Sequence, residues 1–310
     1  MMNLLIIRDR ICAFFQKWDF VLIPIIKFFY TMIVFYSFRQ LFGYNENLYR
    51  FPLVLGVSAV CAFVPSGVIF LVAAVLACVD LVSFSLEVAG LMAAVFLVIY
   101  FLYLRLVPGK SWIILISMLL LMKLPGCIPL LVAMLVGPVG IVPVICGILL
   151  YYFSLHIHGL QPLLTASADT SQVNPVTYLL DNMGQDREML LFMVVFSVVI
   201  MVTYLIYRSS MKQAWGIAIA IGMTTMILGL LAGSILLERE LGINVILFGS
   251  VISGLIAAVV QVFKCVVDYS RTEIVQFEDD DYYYYVKAVP KLVIAQKDVN
   301  VKKINARHKK

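Results

Sequence analysis

Charge is scarce in this chain. Only 13% of its 310 residues are Asp, Glu, Lys or Arg, 63% are hydrophobic, and the mean hydropathy is +1.02. Soluble domains are about a quarter charged and about half apolar, so the composition excludes a water-soluble globular fold and reads as an integral membrane protein. Paired cysteines are missing too. The six cysteines, Cys12, Cys61, Cys78, Cys127, Cys146 and Cys265, are scattered with no CxxC among them. That excludes a disulfide framework and a zinc site, and each reads as a small hydrophobe in a helix. Histidine occurs three times, and His156 and His158 form an HxH. Residues two apart do not share a helical face, which argues against a metal there. No HExxH, GxSxG or P-loop occurs and no nucleophile–base pair is visible, so neither an enzyme nor a cofactor is implied. The net charge of +5 sits largely at the two ends of the chain. It fits an anionic leaflet better than nucleic acid.

What is abundant is apolar sequence in units that match a bilayer, where a spanning helix takes about 20 residues. Six segments are long enough to cross: 20–37, 86–104, 138–155, 188–207, 214–236 and 243–266. The first follows Arg8, Arg10 and Lys17 without a small-x-small cleavage site and is expected to be a retained span. Three regions are delimited: an interfacial segment at 1–19, a transmembrane domain at 20–267 and a cytoplasmic tail at 268–310. Between spans, NPVTYLLDNM has the form of a short surface helix with Asn174 as N-cap and Pro175 in its first turn. GLLAG at 229–233 is a GxxxG, suited to close helix packing within the monomer or in a homo-oligomer.

Two stretches resist assignment as spans. Residues 51–80 and 112–137 are each too long for one straight crossing and too short for two ordinary ones. Each is broken by proline and small residues, Pro65-Ser66-Gly67 in VCAFVPSGVIFLV and Pro125-Gly126-Cys127 in LLLMKLPGCIPLL. At an offset of 60, Pro65 meets Pro125, Leu71 meets Leu131, Val72 meets Val132 and Ala73 meets Ala133. The match delimits hairpin-containing repeats at 51–105 and 112–155, or else two unrelated proline kinks. The distribution of Lys and Arg separates a hairpin from a kinked span. Arg208 and Lys212, Lys264 and Arg271, and Arg8, Arg10 and Lys17 place both termini and the 208–213 loop inside. Arg105 and Lys110 join them only if 51–80 and 112–137 each enter and leave on one side. Arg39 and Arg50 run against the bias. The first hairpin then enters from outside and the second from inside, an inverted repeat of the kind found in secondary transporters.

Broken backbone is tolerated at membrane depth where protein or a water-filled cavity satisfies it. The candidate substrate-binding residues are therefore Pro65, Ser66, Gly67, Lys123, Pro125, Gly126 and Cys127, with the two tips expected to meet near the midplane. Lys123 is either a cation that attracts an anionic substrate or a lysine that snorkels or pairs with Asp80 or Glu87. Lys27 is expected to snorkel, and Asp80 and Glu87 read as interfacial acids. The tail RTEIVQFEDDDYYYYVKAVPKLVIA has the alternation of a β-hairpin around an acidic turn, with a possible third strand at LVIA. Its Tyr282, Tyr283, Tyr284 and Tyr285 are candidates for docking a cytoplasmic protein.

The tail DYSRTEIVQFEDDDYYYYVKAVPK, with VKKIN after it and IPIIKFF and QLFGY near the start, resembles an uncharacterised group of bacterial multi-spanning membrane proteins. Members of that group are sometimes labelled transporter permeases. The EAA-type loop of ABC importer permeases is absent from this chain. The expected fold is an all-α polytopic protein of the inner membrane with about six transmembrane helices, two proline-broken re-entrant-like hairpins and a small β-like cytoplasmic tail. The expected function is transport of a small molecule or ion through a site between the hairpins; the alternative is a membrane scaffold that recruits a partner through its tail.

Overall fold

The structure, a computed structural model, describes residues 10–11, 14–15, 17–122, 124–166, 174–209, 214–237, 243–264, 273–278 and 283–288. The interfacial segment expected at 1–19 lies mostly outside these residues, as do Lys123, Tyr282 and the LVIA strand. Residues 14–262 form one compact unit; residues 1–13 and 263–310 form another.

The larger unit is all-helical. Its elements are α1 (Asp19–Leu41), α2 (Phe51–Cys61), α3 (Ser66–Val82), α4 (Leu86–Ile99, continued by a π turn to Leu104), α5 (Trp112–Leu121), α6 (Cys127–Leu135), α7 (Ile141–Ala166), α8 (Pro175–Gln185), α9 (Arg187–Tyr207), α10 (Ala214–Leu236) and α11 (Ile243–Lys264). Six helical runs are long and apolar enough to cross a membrane: 19–41, 86–104, 138–163, 187–207, 214–236 and 246–263. They coincide with the six segments read from hydropathy, and large apolar side chains such as Phe20, Leu228 and Phe248 point outward from them. In water that exposure would be costly; in lipid it is the solvent-facing surface.

Hydrogen bonds between helices define two ends of the bundle. At the upper end the 42–50 loop meets the last turn of α3, where the Asp80 carboxylate accepts from the amides of Tyr44 (3.3 Å) and Asn45 (2.6 Å) and from the Tyr49 hydroxyl (3.2 Å). Tyr44 also reaches His158 of α7, and His156 reaches Asp186 at the start of α9. At the lower end Lys27 of α1 donates to the carbonyl of Val64 and Tyr30 donates to that of Trp112. The Tyr204 ring lies against Gly137, and Gln261 of α11 donates to Tyr207. Helices α1, α7 and α10 therefore rise, and α4, α9 and α11 descend.

These anchors fix the course of the two broken stretches. Helix α2 starts beside the upper loop, the chain turns beside Lys27, and α3 returns to the upper loop at Asp80. Its legs have 11 and 17 residues. Helix α5 starts at the lower end beside Tyr30, the chain turns at 124–126, and α6 comes back to the lower end at Gly137. Its legs have 10 and 9 residues, about 15 Å each and half the length of a spanning helix. Gly137 has φ +79 and Gly43, which closes α1, has φ +59. Both have positive φ at helix ends, where a side chain is disfavoured.

Two apolar cores meet on α7. One gathers α1 to α4 with Cys146, Leu150, Phe153 and Ile157 of α7; the other gathers α6, α9, α10 and α11 with Val144, Ile148 and Tyr152. The glycines of GLLAG are spent inside the monomer: a side chain at Gly229 would meet Val195, and one at Gly233 would meet Leu191, both on α9. Helix α8 begins as its sequence predicts, with the Asn174 side chain accepting from the amide of Val176 (3.2 Å) behind Pro175.

In the smaller unit, Glu273–Glu278 (β1) and Tyr283–Ala288 (β2) pair antiparallel, with Val275 opposite Val286 and Phe277 opposite Tyr284.

Candidate functional site

The first tip is a capped turn. Pro65 has no N–H to offer the carbonyl of Cys61, and the amide of Val64 takes that place at 3.3 Å. The Val64 carbonyl in turn accepts from Lys27 Nζ at 3.1 Å, and Ser66 Oγ donates to the carbonyl of Gly109 at 3.4 Å. Pro65 is exposed, and Ser66 and Gly67 are half-buried. Lys27, expected to snorkel, instead satisfies broken backbone on the neighbouring element.

The second tip is buried among other helices. Pro125 leaves the carbonyl of Leu121 without its i+4 donor, and the chain re-enters a helix through Cys127 N to Leu124 O (3.1 Å) and Ile128 N to Pro125 O (3.2 Å). Gly126 faces the middle of α10 and of α11: a Cβ there would sit 2.6 Å from Met226 Cε and 2.8 Å from Ser253 Oγ. The Cys127 thiol donates to Ser253 Oγ at 3.4 Å, and the Ser253 hydroxyl donates to the carbonyl of Gly249 at 2.5 Å. Small and polar residues of α11 line its inward face, Ser250, Ser253, Ala257 and Gln261, while Phe248, Leu255 and Val259 face out.

The geometry corrects the expectation of one shared site. Ser66 meets Gly109 just before α5 begins, whereas Gly126 lies beyond the far end of α5. The tips are thus separated by about the length of that helix, ~15 Å. The reason lies in the legs: the longer α3 carries the first turn to the lower end, and the short α5 and α6 hold the second turn at mid-depth. Pro125, Gly126 and Cys127 are brought together with α10 and α11; Pro65, Ser66 and Gly67 belong to the lower end.

A second constellation sits at the upper end. Tyr152 and His156 stand one helical turn apart on α7 and share a face. The Tyr152 hydroxyl donates to Glu188 Oε1 (3.3 Å), and His156 Nε2 pairs with Asp186 Oδ2 (2.9 Å). The other oxygen of Asp186 caps α9, accepting from the amides of Glu188 (3.0 Å) and Met189 (3.1 Å). His158 points the other way and meets the Tyr44 hydroxyl at 3.3 Å, with the two rings stacked. Burial first, and the charge of Asp80 second, push the Tyr44 hydroxyl up to about 12, and the same two causes raise Tyr49. Both phenols therefore stay protonated. Asp80, expected at a wet interface, is fully buried; burial pushes its carboxyl up, and the donors of the loop offset part of that rise. The i, i+4 spacing of Tyr152 and His156, set against the acids at 186 and 188, is the sequence signal for this constellation.

A surface groove of about 440 Å³ between α3 and α4, lined by Phe70, Ala74, Val75, Cys78, Phe96 and Tyr100, is almost wholly apolar and touches neither constellation. No family model, curated protein or solved structure matches the chain.

Proposed function

We infer that the chain is a permease-like membrane transporter, moving a small molecule or ion past the tip of the 112–137 hairpin. The observation that carries this reading is the position of Gly126, at mid-length of α10 and α11 with the helix break at Leu124 and Pro125 just before it. A turn there carries backbone polar groups into the apolar layer, an arrangement that transporters use to bind substrate. The 112–137 stretch is then a re-entrant hairpin. The lower end carries Lys27, Arg105, Lys110 and Arg208, which supports a cytoplasmic placement for it and an outward one for the 42–50 loop. Lys123 belongs to the tip by sequence and would favour an anion. Purified protein in proteoliposomes, probed by solid-supported-membrane currents after jumps in inorganic ions, carboxylates and amino acids, is expected to give a current that Gly126→Leu removes while the protein stays folded. Currents equal to those of protein-free liposomes for every class would refute the reading.

A second reading has one observation of its own. Among the described residues each strand of the β1–β2 hairpin is paired on one edge only, which suits strand addition by a partner. In this reading the chain is a scaffold whose tail, with Tyr282 to Tyr285, recruits a cytoplasmic protein. Deletion of residues 272–310 would then abolish a specific interaction and leave the spans folded; an intact interaction after the deletion would remove the scaffold reading.

A further inference from the structure

We propose that His156 and Asp186 form a proton-operated gate at the upper end of the bundle, closed when His156 carries its proton and released when it loses it. The inference deepens the transport reading and depends on it only for what the gate serves. Its first support is placement. Helices α7 and α9, which the pair joins, are also the two helices that hold the second hairpin, for α5 packs along α7 and α6 packs along α9. The hairpin fills the space between them from below; the His156–Asp186 pair and the Tyr152–Glu188 bond close it from above. Movement of α7 away from α9 at the upper end would open the tip at Gly126 to that side without moving the lower end.

The second support is access and chemistry. The side chains of His156 and Asp186 are 19% and 15% exposed, so the pair is partly sheltered yet within reach of water at its own end of the molecule. Histidine is the side chain whose charge changes between about pH 5 and pH 8. A protonated imidazole gives Asp186 a charge-assisted bond; a neutral one leaves only an ordinary hydrogen bond, roughly half as strong. The charged and titratable neighbours reinforce the direction. From α9, Asp186 meets His156 and Glu188 meets Tyr152, and Arg187 between them is exposed. From α7, Tyr152 is engaged with Glu188, and His158 faces Tyr44 instead. From α8, the Tyr178 hydroxyl lies near Gly159, and Asp181 is exposed. Low pH therefore tightens the bond to α9.

The test uses spin labels at Leu155 and Leu190, which are 49% and 50% exposed near the upper ends of α7 and α9, in full-length protein with its native cysteines replaced by alanine and placed in nanodiscs. The distance distribution is measured at about pH 5 and at about pH 8. A single short distance is expected at the lower pH, with a longer population that grows several-fold at the higher one. His156→Gln should make the distribution independent of pH. Asp186→Asn, which preserves the helix cap, should do the same, and it guards against a His156 variant that fails to fold. A wild-type distribution that does not change with pH, or a pH response that survives in His156→Gln, would overturn the gate. A titrating distance in protein that yields no transport current would leave the gate standing and remove the transport reading; currents with an invariant distance would do the reverse.

Discussion

Between Phe51 and Val82 the chain turns at the far end of the bundle; between Trp112 and Leu135 it turns halfway. The local chemistry of the two turns is nearly the same: a proline that cannot donate, followed by two small residues that open the next helix. Their surroundings differ because the legs differ. With 17 residues, about 25 Å, α3 nearly crosses, so the first tip reaches the lower end and finds Lys27 and Gly109. With legs of 10 and 9 residues the second tip stops at mid-depth and finds Met226 and Ser253. A proline break decides that a helix stops, and the length of helix before it decides what the turn touches. One tip is a surface turn tied down by a lysine; the other puts irregular backbone at the middle of the helices.

The comparison is most exposed to change where the first hairpin is anchored. Asp80→Leu leaves two loop amides and the Tyr49 hydroxyl without their acceptor. The expected loss is ~3 kcal/mol or more, read as a lowered Tm in detergent, with the 42–50 loop becoming open to proteolysis. A Tm within a degree or so of wild type would mean that the upper anchor does not hold the hairpin. Next in size is the second tip. Gly126→Val drives a branched side chain into Met226 and Ser253 and is expected to cost about 2 kcal/mol, with partial recovery on combining it with Met226→Ala. Strict additivity of the two changes would show that Gly126 and Met226 are not in contact. The smallest effect, of opposite sign, belongs to the first hairpin. No neighbour lies within 4 Å of a Cβ added at Gly56 in the middle of α2. Gly56→Ala should therefore stabilise by about 0.5 kcal/mol through helix propensity alone. Destabilisation there would indicate a packing partner for α2.

Much of this architecture was legible in the sequence because the bilayer imposes it. Spans of about 20 apolar residues can hardly be anything else, and the boundaries at 86–104 and 214–236 agree to the residue. The cap of α8 was legible too, since Asn174-Pro175 carries its mechanism in its residue types. Tip depth was not. It depends on where α5 and α6 begin and end, and an unbroken run of Leu, Ile and Met gives no such signal. The burial of Asp80 was hidden for a related reason: a single acid near the end of an apolar run looks interfacial until the loop that folds over it is known. The HxH was half legible. Its spacing argued correctly that His156 and His158 do not share a face. That same geometry sends them to opposite partners, Asp186 and Tyr44.

The central claim is that the 112–137 stretch returns to the end from which it came. It is tested most directly by the sidedness of three single-cysteine variants in intact cells, in a background free of native cysteine: Glu46→Cys, Lys110→Cys and Val139→Cys, the last at a position 53% exposed just after the hairpin. Labelling with a membrane-impermeant maleimide before and after permeabilisation is expected to place Lys110 and Val139 on one side and Glu46 on the other. Val139 labelling from the side of Glu46 would mean that 112–137 crosses the membrane, and the mid-depth turn would be contradicted.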